Sequence, residues 1–274
     1  MAIAQLARRG ASHLMPAVMI GFCAFVVFGP LTNLFLWAFA EKWFFPARYP
    51  TEFGFDFWAR VFRPRAGAWT SLFNSVWIAL ATVALSMALA VPAGYALARL
   101  RLPARALIML IFLLPQAFPS LPIFVNIAQM FYGLGLNGTY TGVVLVHSLP
   151  GLVYAVWIAT AAFSAVDRTM EEAARNLGAA LLRTFWDITL PQAFPGLVAA
   201  SIFVFLDSID EFTGTFFVGT PDITTLPILM FNASMGGNYQ IAAITALILL
   251  IPSIGFMLVI ERFLKADVLS RIGR

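Results

Sequence analysis

Three carboxylates lie inside an otherwise apolar stretch in the last third of the chain. Asp207, Asp210 and Glu211 are spaced i, i+3 and i+4, which predicts that they share one face of a helix. A carboxylate within a membrane is costly unless it faces water or a cation. The pattern therefore predicts the polar lining of a translocation path for a positively charged or polyol-like solute. Hydrogen bonding between membrane subunits, or exposure at the end of a shortened span, would explain it without a pathway.

The chain offers few other residues for catalysis or metal binding. Its one cysteine, Cys23, cannot form an internal disulfide or a cysteine metal site. The histidines are His13 and His147, and we expect His147 to be a hydrogen-bonded helix residue rather than a proton carrier. Neither lysine, Lys42 or Lys265, follows a glycine, whereas a Walker A loop requires Gly-Lys-Ser or Gly-Lys-Thr. We therefore predict a non-enzymatic chain that does not itself hydrolyse ATP.

The composition is that of a membrane protein. Apolar residues make up 61% of the chain, charged residues make up 11%, and the mean hydropathy is +0.88. A soluble domain carries about 25% charged residues, so most of this surface must face lipid or other membrane subunits. The net charge of +4 comes from short basic clusters between apolar runs. Such clusters determine topology and do not indicate a nucleic-acid partner.

Apolar runs long enough to cross the membrane occur six times. A span needs about 20 residues for a hydrocarbon core of about 30 Å. The first run is too long for the core of a secretory signal, so we expect a retained helix. Three prolines in the third run, at 115, 119 and 122, predict a broken span that lines something other than lipid. The predicted spans are residues 15–40, 72–97, 107–131, 139–163, 194–218 and 241–264.

Basic residues predict the orientation of these spans. The clusters before the first span, after the second, after the fourth and after the sixth fall on one side, which is the cytoplasmic side by the positive-inside rule. The loop over residues 41–69 is the exception, and we keep it outside because moving it would reverse every other assignment. The predicted organisation is a cytoplasmic segment 1–14, a six-helix membrane domain 15–264 and a cytoplasmic tail 265–274.

A polar segment, residues 165–193, connects the fourth and fifth predicted spans on the cytoplasmic side. Asp167 or Thr169 can cap a short helix with acidic residues in its first turn. Gly178 suits the left-handed residue that ends a helix, and a second, amphipathic helix is predicted over 180–189. The segment is therefore predicted to form a helix–turn–helix that projects from the membrane.

The surface chemistry of this segment predicts a protein contact. Ala173 and Ala174 keep one surface small, which allows another protein to approach closely. Leu181 and Phe185 would be exposed to solvent without a partner. An ordinary connecting loop need not carry small residues and a glycine at fixed offsets, so we predict a docking site.

The same segment resembles the cytoplasmic loop of permease subunits of binding-protein-dependent ABC importers. The family pattern is Glu-Ala-Ala, three residues, Gly, nine residues, Ile, one residue and Leu-Pro, and residues 172–191 fill every fixed position. The resemblance implies that the loop docks onto a partner ATPase. The docking residues that we predict are Glu171, Glu172, Ala173, Ala174, Gly178, Leu181, Phe185, Ile188, Leu190 and Pro191.

A second stretch carries the same resemblance. Asn74-Ser75 followed by Gly94-Tyr95-Ala96-Leu97-Ala98-Arg99 is similar to the second-span signature of this permease family. Arg99 would end that span at the cytoplasmic interface. The resemblance runs from about residue 72 to the C-terminus.

The resemblance implies an all-α, six-helix type I ABC importer transmembrane domain, multi-pass in the bacterial inner membrane, with both termini cytoplasmic. Its implied partners are an ABC ATPase dimer that binds ATP and Mg²⁺, a second permease subunit, a periplasmic solute-binding protein and the lipid bilayer. No cofactor is expected in this chain. Asp210, Glu211 and the stretch 226–231 resemble the spermidine/putrescine branch, which implies an amine-bearing solute, and Asp207 is an addition to that pattern.

Two other classes stay open from the residues. An ion-gradient-driven secondary transporter would need no ATPase-docking loop, so co-purification of an ATPase separates the two. An intramembrane enzyme would need a nucleophile with a base, or paired acids, deep in the membrane. Asp207 with Asp210 is the candidate pair for such an enzyme, and it fits no catalytic motif.

Overall fold

The computed structural model describes residues 2–44 and 46–272, with side chains described over 15–44 and 46–258. In this part of the chain, five helices are long and apolar enough to cross a membrane, and a sharply bent helix pair supplies a sixth crossing if it counts as one span. The prediction of a helical membrane protein is confirmed, with five spans, or six if the bent pair counts as one. The five long spans are Met15–Phe39, Ala68–Arg99, Tyr140–Ala165, Leu181–Asp210 and Tyr239–Leu258.

The elements follow each other closely along the chain. Two short antiparallel strands, β1 (Ala40–Lys42) and β2 (Glu52–Phe53), separate the first two helices. The helices are α1 (Ala2–Phe39), α2 (Asp56–Val61), α3 (Ala68–Arg99), α4 (Arg105–Ala117), α5 (Ser120–Gly133), α6 (Tyr140–Ala165), α7 (Arg168–Asn176), α8 (Leu181–Thr184), α9 (Leu190–Asp210), α10 (Thr213–Val218), α11 (Leu226–Met235) and α12 (Tyr239–Ile272).

The chain divides into two compact units. The first contains the chain up to Ala66 together with Met230–Leu247. Within it the β1–β2 hairpin and α2 fold back on the end of α1, where the Trp58 indole N–H donates to the Ala38 carbonyl at 2.8 Å. The loop predicted outside the membrane is therefore structured. The predicted terminal segments 1–14 and 265–274 lie outside the residues whose side chains are described.

The second unit, Gly67–Leu229 with the chain from Ile248 onward, is built on α3, α6 and α9. These helices approach closely because small residues lie between them. A Cβ on Gly94 of α3 would lie 2.8 Å from the Cβ of Ala159 on α6, closer than side chains pack. Buried apolar residues, among them Phe163 and Leu197, fill the space around this contact. The result is a closely packed three-helix core that carries the loops.

The predicted Asn74-Ser75 motif has a structural role at one end of this core. The Asn74 amide donates to the Thr224 carbonyl at 2.9 Å, and the Tyr140 hydroxyl donates to Asn74 Oδ1 at 2.8 Å. The Ser75 hydroxyl accepts the backbone N–H of Leu226, also at 2.9 Å. Both side chains thus pin the loop that follows α10 to the beginning of α3.

The predicted break in the third span is confirmed. α4 and α5 meet at an angle of 94°. Phe118 has an extended backbone (φ −104°, ψ 150°), as expected for a residue that precedes a proline, and Pro119 flanks the start of α5. The prolines therefore divide this span into two helices rather than bending one continuous helix.

The predicted fifth span, 194–218, is wrong at both ends. The helical segment runs from Leu181 to Asp210, and residues 213–218 form the separate helix α10. The helix ends because Glu211 has an extended backbone (φ −69°, ψ 113°) and its carboxylate accepts the Gly214 N–H at 2.7 Å. A carboxylate at the start of α10 is favoured by the exposed N–H groups there.

The predicted separate helix over 180–189 is also wrong. α8 is a single turn, and Phe185–Thr189 form a π-helical turn that continues directly into α9. Pro191 is the second residue of α9 and directly follows the π-helical turn, where the regular α-helical hydrogen-bond pattern is already shifted.

Candidate docking loop and polar cavity

The loop between α6 and α9 begins with a capped helix. The Asp167 side chain accepts the backbone N–H of Thr169 at 2.9 Å, so Asp167, and not Thr169, is the cap of α7. The same hydrogen bond lowers the pKa of the exposed Asp167 carboxyl below its usual value. Glu171 lies in the first turn, as predicted.

Gly178 ends the loop helix in the predicted left-handed conformation, with φ of +90°. The Ala179 N–H donates to the Ala174 carbonyl at 3.0 Å, and the Gly178 N–H donates to the Arg175 carbonyl at 2.9 Å. No atom lies within 4 Å of a Cβ added at Gly178. The position therefore needs glycine for its backbone conformation and not for space.

The base of the loop is a buried ion pair that the sequence did not reveal. An Arg99 guanidinium nitrogen lies 3.1 Å from Glu171 Oε1, and the two side chains are 6% and 12% exposed. The same guanidinium donates to the Val166 carbonyl at 2.8 Å. The Thr189 hydroxyl also donates to Glu171 Oε1, at 2.7 Å. Glu171, predicted as a docking residue, is thus directed inward.

Phe185, another predicted docking residue, also points into the core. Its ring lies 5.1 Å from the ring of Tyr95 and 6.1 Å from that of Phe163, centroid to centroid. Tyr95 and Phe163 are themselves in edge-to-face contact at 5.6 Å. This aromatic cluster fastens the π-helical turn to α3 and α6.

Large apolar side chains cover the outer tip of the loop. Leu177 is 90% exposed, Leu182 is 70% exposed and Leu181 is 68% exposed. Leu177 and Leu182 are absent from the predicted docking residues. Both are large apolar residues in a polar segment, so the sequence did contain a pattern that could have identified them. Among the other predicted docking residues, Glu172, Ala173, Gly178 and Pro191 are exposed, and Ala174, Ile188 and Leu190 are half-buried.

The predicted acidic residues lie at the opposite end of α9, beside the break in the third span. Asp207 and Glu211 line a cavity of about 160 Å³ together with Gln116, Tyr154 and other residues of α4 to α6. Asp207, Asp210 and Glu211 all border a second, more open space of about 440 Å³. Asp207 and Asp210 lie on α9, whereas Glu211 follows its last residue, so the prediction that all three share one helical face is wrong for Glu211.

The two cavity carboxylates differ in their partners. Glu211 Oε1 accepts the Gly214 N–H. Asp207 Oδ2 is buried, and no described group donates to it. An unpaired buried oxygen is costly, so Asp207 is the carboxylate that is suited to receive a donor from outside the chain.

His147 lies close to this site, and the prediction of a hydrogen-bonded helix residue is confirmed. Its Nδ1 is 2.8 Å from the Ser208 hydroxyl, and its Nε2 is 2.7 Å from the Thr215 hydroxyl. The ring is buried. These bonds join α6, α9 and α10 beside the cavity. Within the described residues, no group of three or more His, Cys, Asp or Glu side chains has an arrangement that would hold a metal ion.

The sequence is similar to known transport proteins. The putative ABC transporter permease protein ORF1 of Streptomyces antibioticus is 30% identical over 200 residues, which cover 72% of this chain and 87% of that protein. The trehalose transport system permease protein SugB of Mycobacterium tuberculosis is 29% identical over 227 residues, covering 81% and 82%. The putrescine transport system permease protein PotI of Escherichia coli is 37% identical over 106 residues, 38% of each chain. The polyamine branch is therefore not specifically supported.

The fold is found in a solved structure. The crystal structure of a bacterial ABC transporter involved in the import of the acidic polysaccharide alginate matches with a TM-score of 0.62 and 19% identity, over 94% of this chain and 95% of that one. At this identity the likeness concerns the fold alone. The family model described as binding-protein-dependent transport system inner membrane component matches residues 90–267, more than half of the chain. The chain therefore belongs to this family of ABC importer permeases.

Proposed function

We propose that the chain is one permease subunit of an ATP-driven importer, that its loop over residues 165–193 docks onto a partner ATPase, and that its acid-lined cavity belongs to the solute path. The observation that carries the proposal is a contrast within the loop. Leucine side chains at its tip are exposed, whereas the Arg99–Glu171 ion pair at its base is nearly buried.

The docking part rests on the loop tip. Leu177, Leu181 and Leu182 expose most of their side chains at the turn between α7 and the helical segment that begins at Leu181. A cluster of exposed leucines marks a surface that a partner covers. Glu172 and Ala173 are exposed on the adjoining helix, where small residues permit close approach. The partner that we propose is an ATPase, which binds ATP and Mg²⁺ and receives the loop in a cleft.

The transport part follows from how the loop is mounted. α7 follows α6 directly, and the segment from Leu181 runs into α9. A partner that moves the loop therefore moves the ends of two spans. With a second permease subunit arranged likewise, closure of an ATPase dimer would open the path to the opposite side, as alternating access requires. The setting is the bacterial inner membrane, with a periplasmic solute-binding protein as the donor. An ion-gradient-driven transporter has no ATPase, so it would not need a docking loop.

For the solute we propose a small polyhydroxylated molecule. The alignment to the trehalose permease covers 81% of the chain. Carboxylates and tyrosine hydroxyls bind sugar hydroxyls by hydrogen bonds, and Asp207, Glu211 and Tyr154 line the cavity. An amine-bearing, polyamine-like solute is the second candidate. It is favoured by the unpaired oxygen of Asp207 and by the partial alignment to the putrescine permease.

The test is purification of the tagged chain from cells that also produce the ATPase, the second permease and the binding protein encoded beside it. We expect the ATPase to co-purify, and the complex in proteoliposomes to accumulate radiolabelled trehalose in an ATP-dependent manner, with putrescine as the comparison solute. In a Leu177→Asp, Leu181→Asp variant we expect ATPase co-purification to be lost. An intact wild-type complex without any ATPase would contradict the proposal.

A control for this variant is Asp187→Asn. Asp187 lies in the π-helical turn of the same loop, its side chain is 62% exposed, and its ion pair with Arg183 is at the surface. Surface ion pairs contribute about 0–1 kcal/mol, so we expect this variant to retain the ATPase.

A further inference from the structure

The end of α3 and the beginning of the docking loop hold each other from both sides. Arg99, the last residue of α3, donates from its guanidinium to the Val166 carbonyl at 2.8 Å. In the opposite direction, the Arg168 guanidinium donates to the Ala98 carbonyl at 3.1 Å. Two reciprocal bonds from side chain to backbone fix the relative position of the two segments better than one contact can. The loop helix α7 is therefore attached to a span that is not its neighbour in sequence.

Glu171 extends this attachment to a third element. Its Oε1 receives both an Arg99 nitrogen at 3.1 Å and the Thr189 hydroxyl at 2.7 Å. Thr189 is the last residue of the π-helical turn that leads into α9. α3, α7 and α9 thus meet at a single carboxylate oxygen. This oxygen therefore links α7 to the end of α3 and to the residue that precedes α9.

The cluster is poorly explained as a device for stability. Both side chains of the Arg99–Glu171 pair are nearly buried, and well-packed apolar residues can replace a buried ion pair with no loss of stability or with a gain. Arg99 Nε is also buried without a hydrogen-bond partner among the described residues. What such a pair provides is directional geometry, because the guanidinium is a rigid planar fork.

A second ion pair in the same loop has the opposite character. Arg183 Nε lies 3.2 Å from Asp187 Oδ2, close to the 3.1 Å of the Arg99–Glu171 pair. The two side chains are nevertheless 78% and 62% exposed. They are four residues apart on one continuous helical segment. This pair cannot transmit movement between elements, and it provides the matched control.

We propose that Arg99 is a positioning residue for transport, which carries movement of the docked loop into α3 while Glu171 and Thr189 carry it into α9. This inference rests on the proposed docking of the loop onto an ATPase. It goes beyond that docking, because it names the internal contacts that convert ATPase movement into movement of the spans.

The experiment measures solute transported per ATP hydrolysed by the complete transporter in proteoliposomes. The key variant is Arg99→Met with Glu171→Met, which replaces the pair by apolar side chains and leaves no unpaired buried charge. We expect the ATPase to co-purify as with wild type, and the transport ratio to fall by at least about tenfold. Arg99→Lys keeps the positive charge but lacks the planar guanidinium, so we expect an intermediate amount of solute transported per ATP. Thr189→Val should lower the ratio by about twofold to fivefold, the effect of one lost hydrogen bond.

The control is Arg183→Met with Asp187→Met, for which we expect the wild-type ratio. A wild-type ratio in the Arg99 and Glu171 double variant would overturn the inference and leave ATPase docking intact. Loss of the ATPase from that variant would also overturn it, because the pair would then shape the docking surface instead of transmitting movement. Absence of the ATPase from the wild-type complex would remove the proposed function and this inference together.

Discussion

The buried polar groups at the two ends of α9 differ in whether they have hydrogen-bond partners. At the docking end, the Glu171 oxygen receives two donors, and the Arg99 guanidinium binds both that oxygen and a backbone carbonyl. At the far end, Asp207 Oδ2 is buried without a described donor and borders a cavity. About 27 Å of helix separates Thr189, which binds Glu171, from Asp207. A paired buried group maintains geometry, whereas an unpaired one is suited to a visiting ligand, so we infer that the docking end transmits force and the far end receives solute.

The largest effect is expected from the backbone at the docking end. In Gly178→Val, a β-branched residue would have to adopt φ of +90°, a conformation that such residues strongly disfavour. We expect ATP-driven uptake to fall by about tenfold or more, while the protein remains inserted. The reason is that valine would force the turn out of its left-handed conformation and so displace the docking surface. The measurement is uptake in proteoliposomes, normalised to the inserted protein.

The matched variant is Gly178→Asn, since asparagine tolerates the left-handed conformation. We expect it to retain most of the uptake. Equal uptake by the valine and asparagine variants would show that the turn does not shape the docking surface.

A smaller effect is expected from the carboxylate at the far end. Asp207→Asn should lower the maximal uptake of an amine-bearing solute by about tenfold, the effect of one lost charge-assisted hydrogen bond. A polyhydroxylated solute should be affected less, because an amide can also bind hydroxyl groups. Solute uptake and ATPase co-purification would be measured for the same preparations, and we expect co-purification to be unchanged.

Asp210→Asn is the control for this prediction, because Asp210 is exposed and does not line the smaller cavity. We expect a change of less than about twofold for this exposed charge. If Asp207→Asn transports both solutes at the parental rate, the far end has no solute role and the two ends of α9 do not differ in function.

The smallest effect on uptake is expected from a paired group at the far end. His147→Phe would leave the Ser208 and Thr215 hydroxyls without their buried partner. We expect a loss of about 1–3 kcal/mol in stability, seen as a lower melting temperature in detergent, with an unchanged amount of solute moved per ATP. A change in that ratio with an unchanged melting temperature would assign His147 a direct role in transport.

Local patterns predicted the first helix of the docking loop and the turn that ends it, while contacts between distant residues escaped prediction. The left-handed Gly178 depends on neighbouring residues, so its type and spacing were sufficient. The cap was narrowed to Asp167 or Thr169, and the structure selects Asp167. The pairing of Arg99 with Glu171 depends on how α3, α6 and α9 pack, which no local pattern encodes. Arg99 was predicted at the end of its span, and the partner that gives it a role was missed.

The fifth span shows a second limit of sequence patterns. The apolar run continues through residue 218, so composition predicts one long helix. The break arises because the Glu211 carboxylate caps α10, a choice between two local hydrogen-bonding arrangements that hydropathy does not register. The third span was easier, because proline restricts the backbone wherever it occurs.

Cysteine crosslinking tests the central claim, that the loop tip contacts an ATPase, most directly. The single cysteine makes a Cys23→Ser background simple to prepare. In that background, Leu177→Cys and Leu181→Cys would each be treated with a short maleimide crosslinker in assembled transporter, with Tyr132→Cys, 80% exposed on α5, as the comparison. We predict a crosslink between the chain and the ATPase from both loop positions and none from position 132. Crosslinks from position 132 with none from the loop would contradict the account.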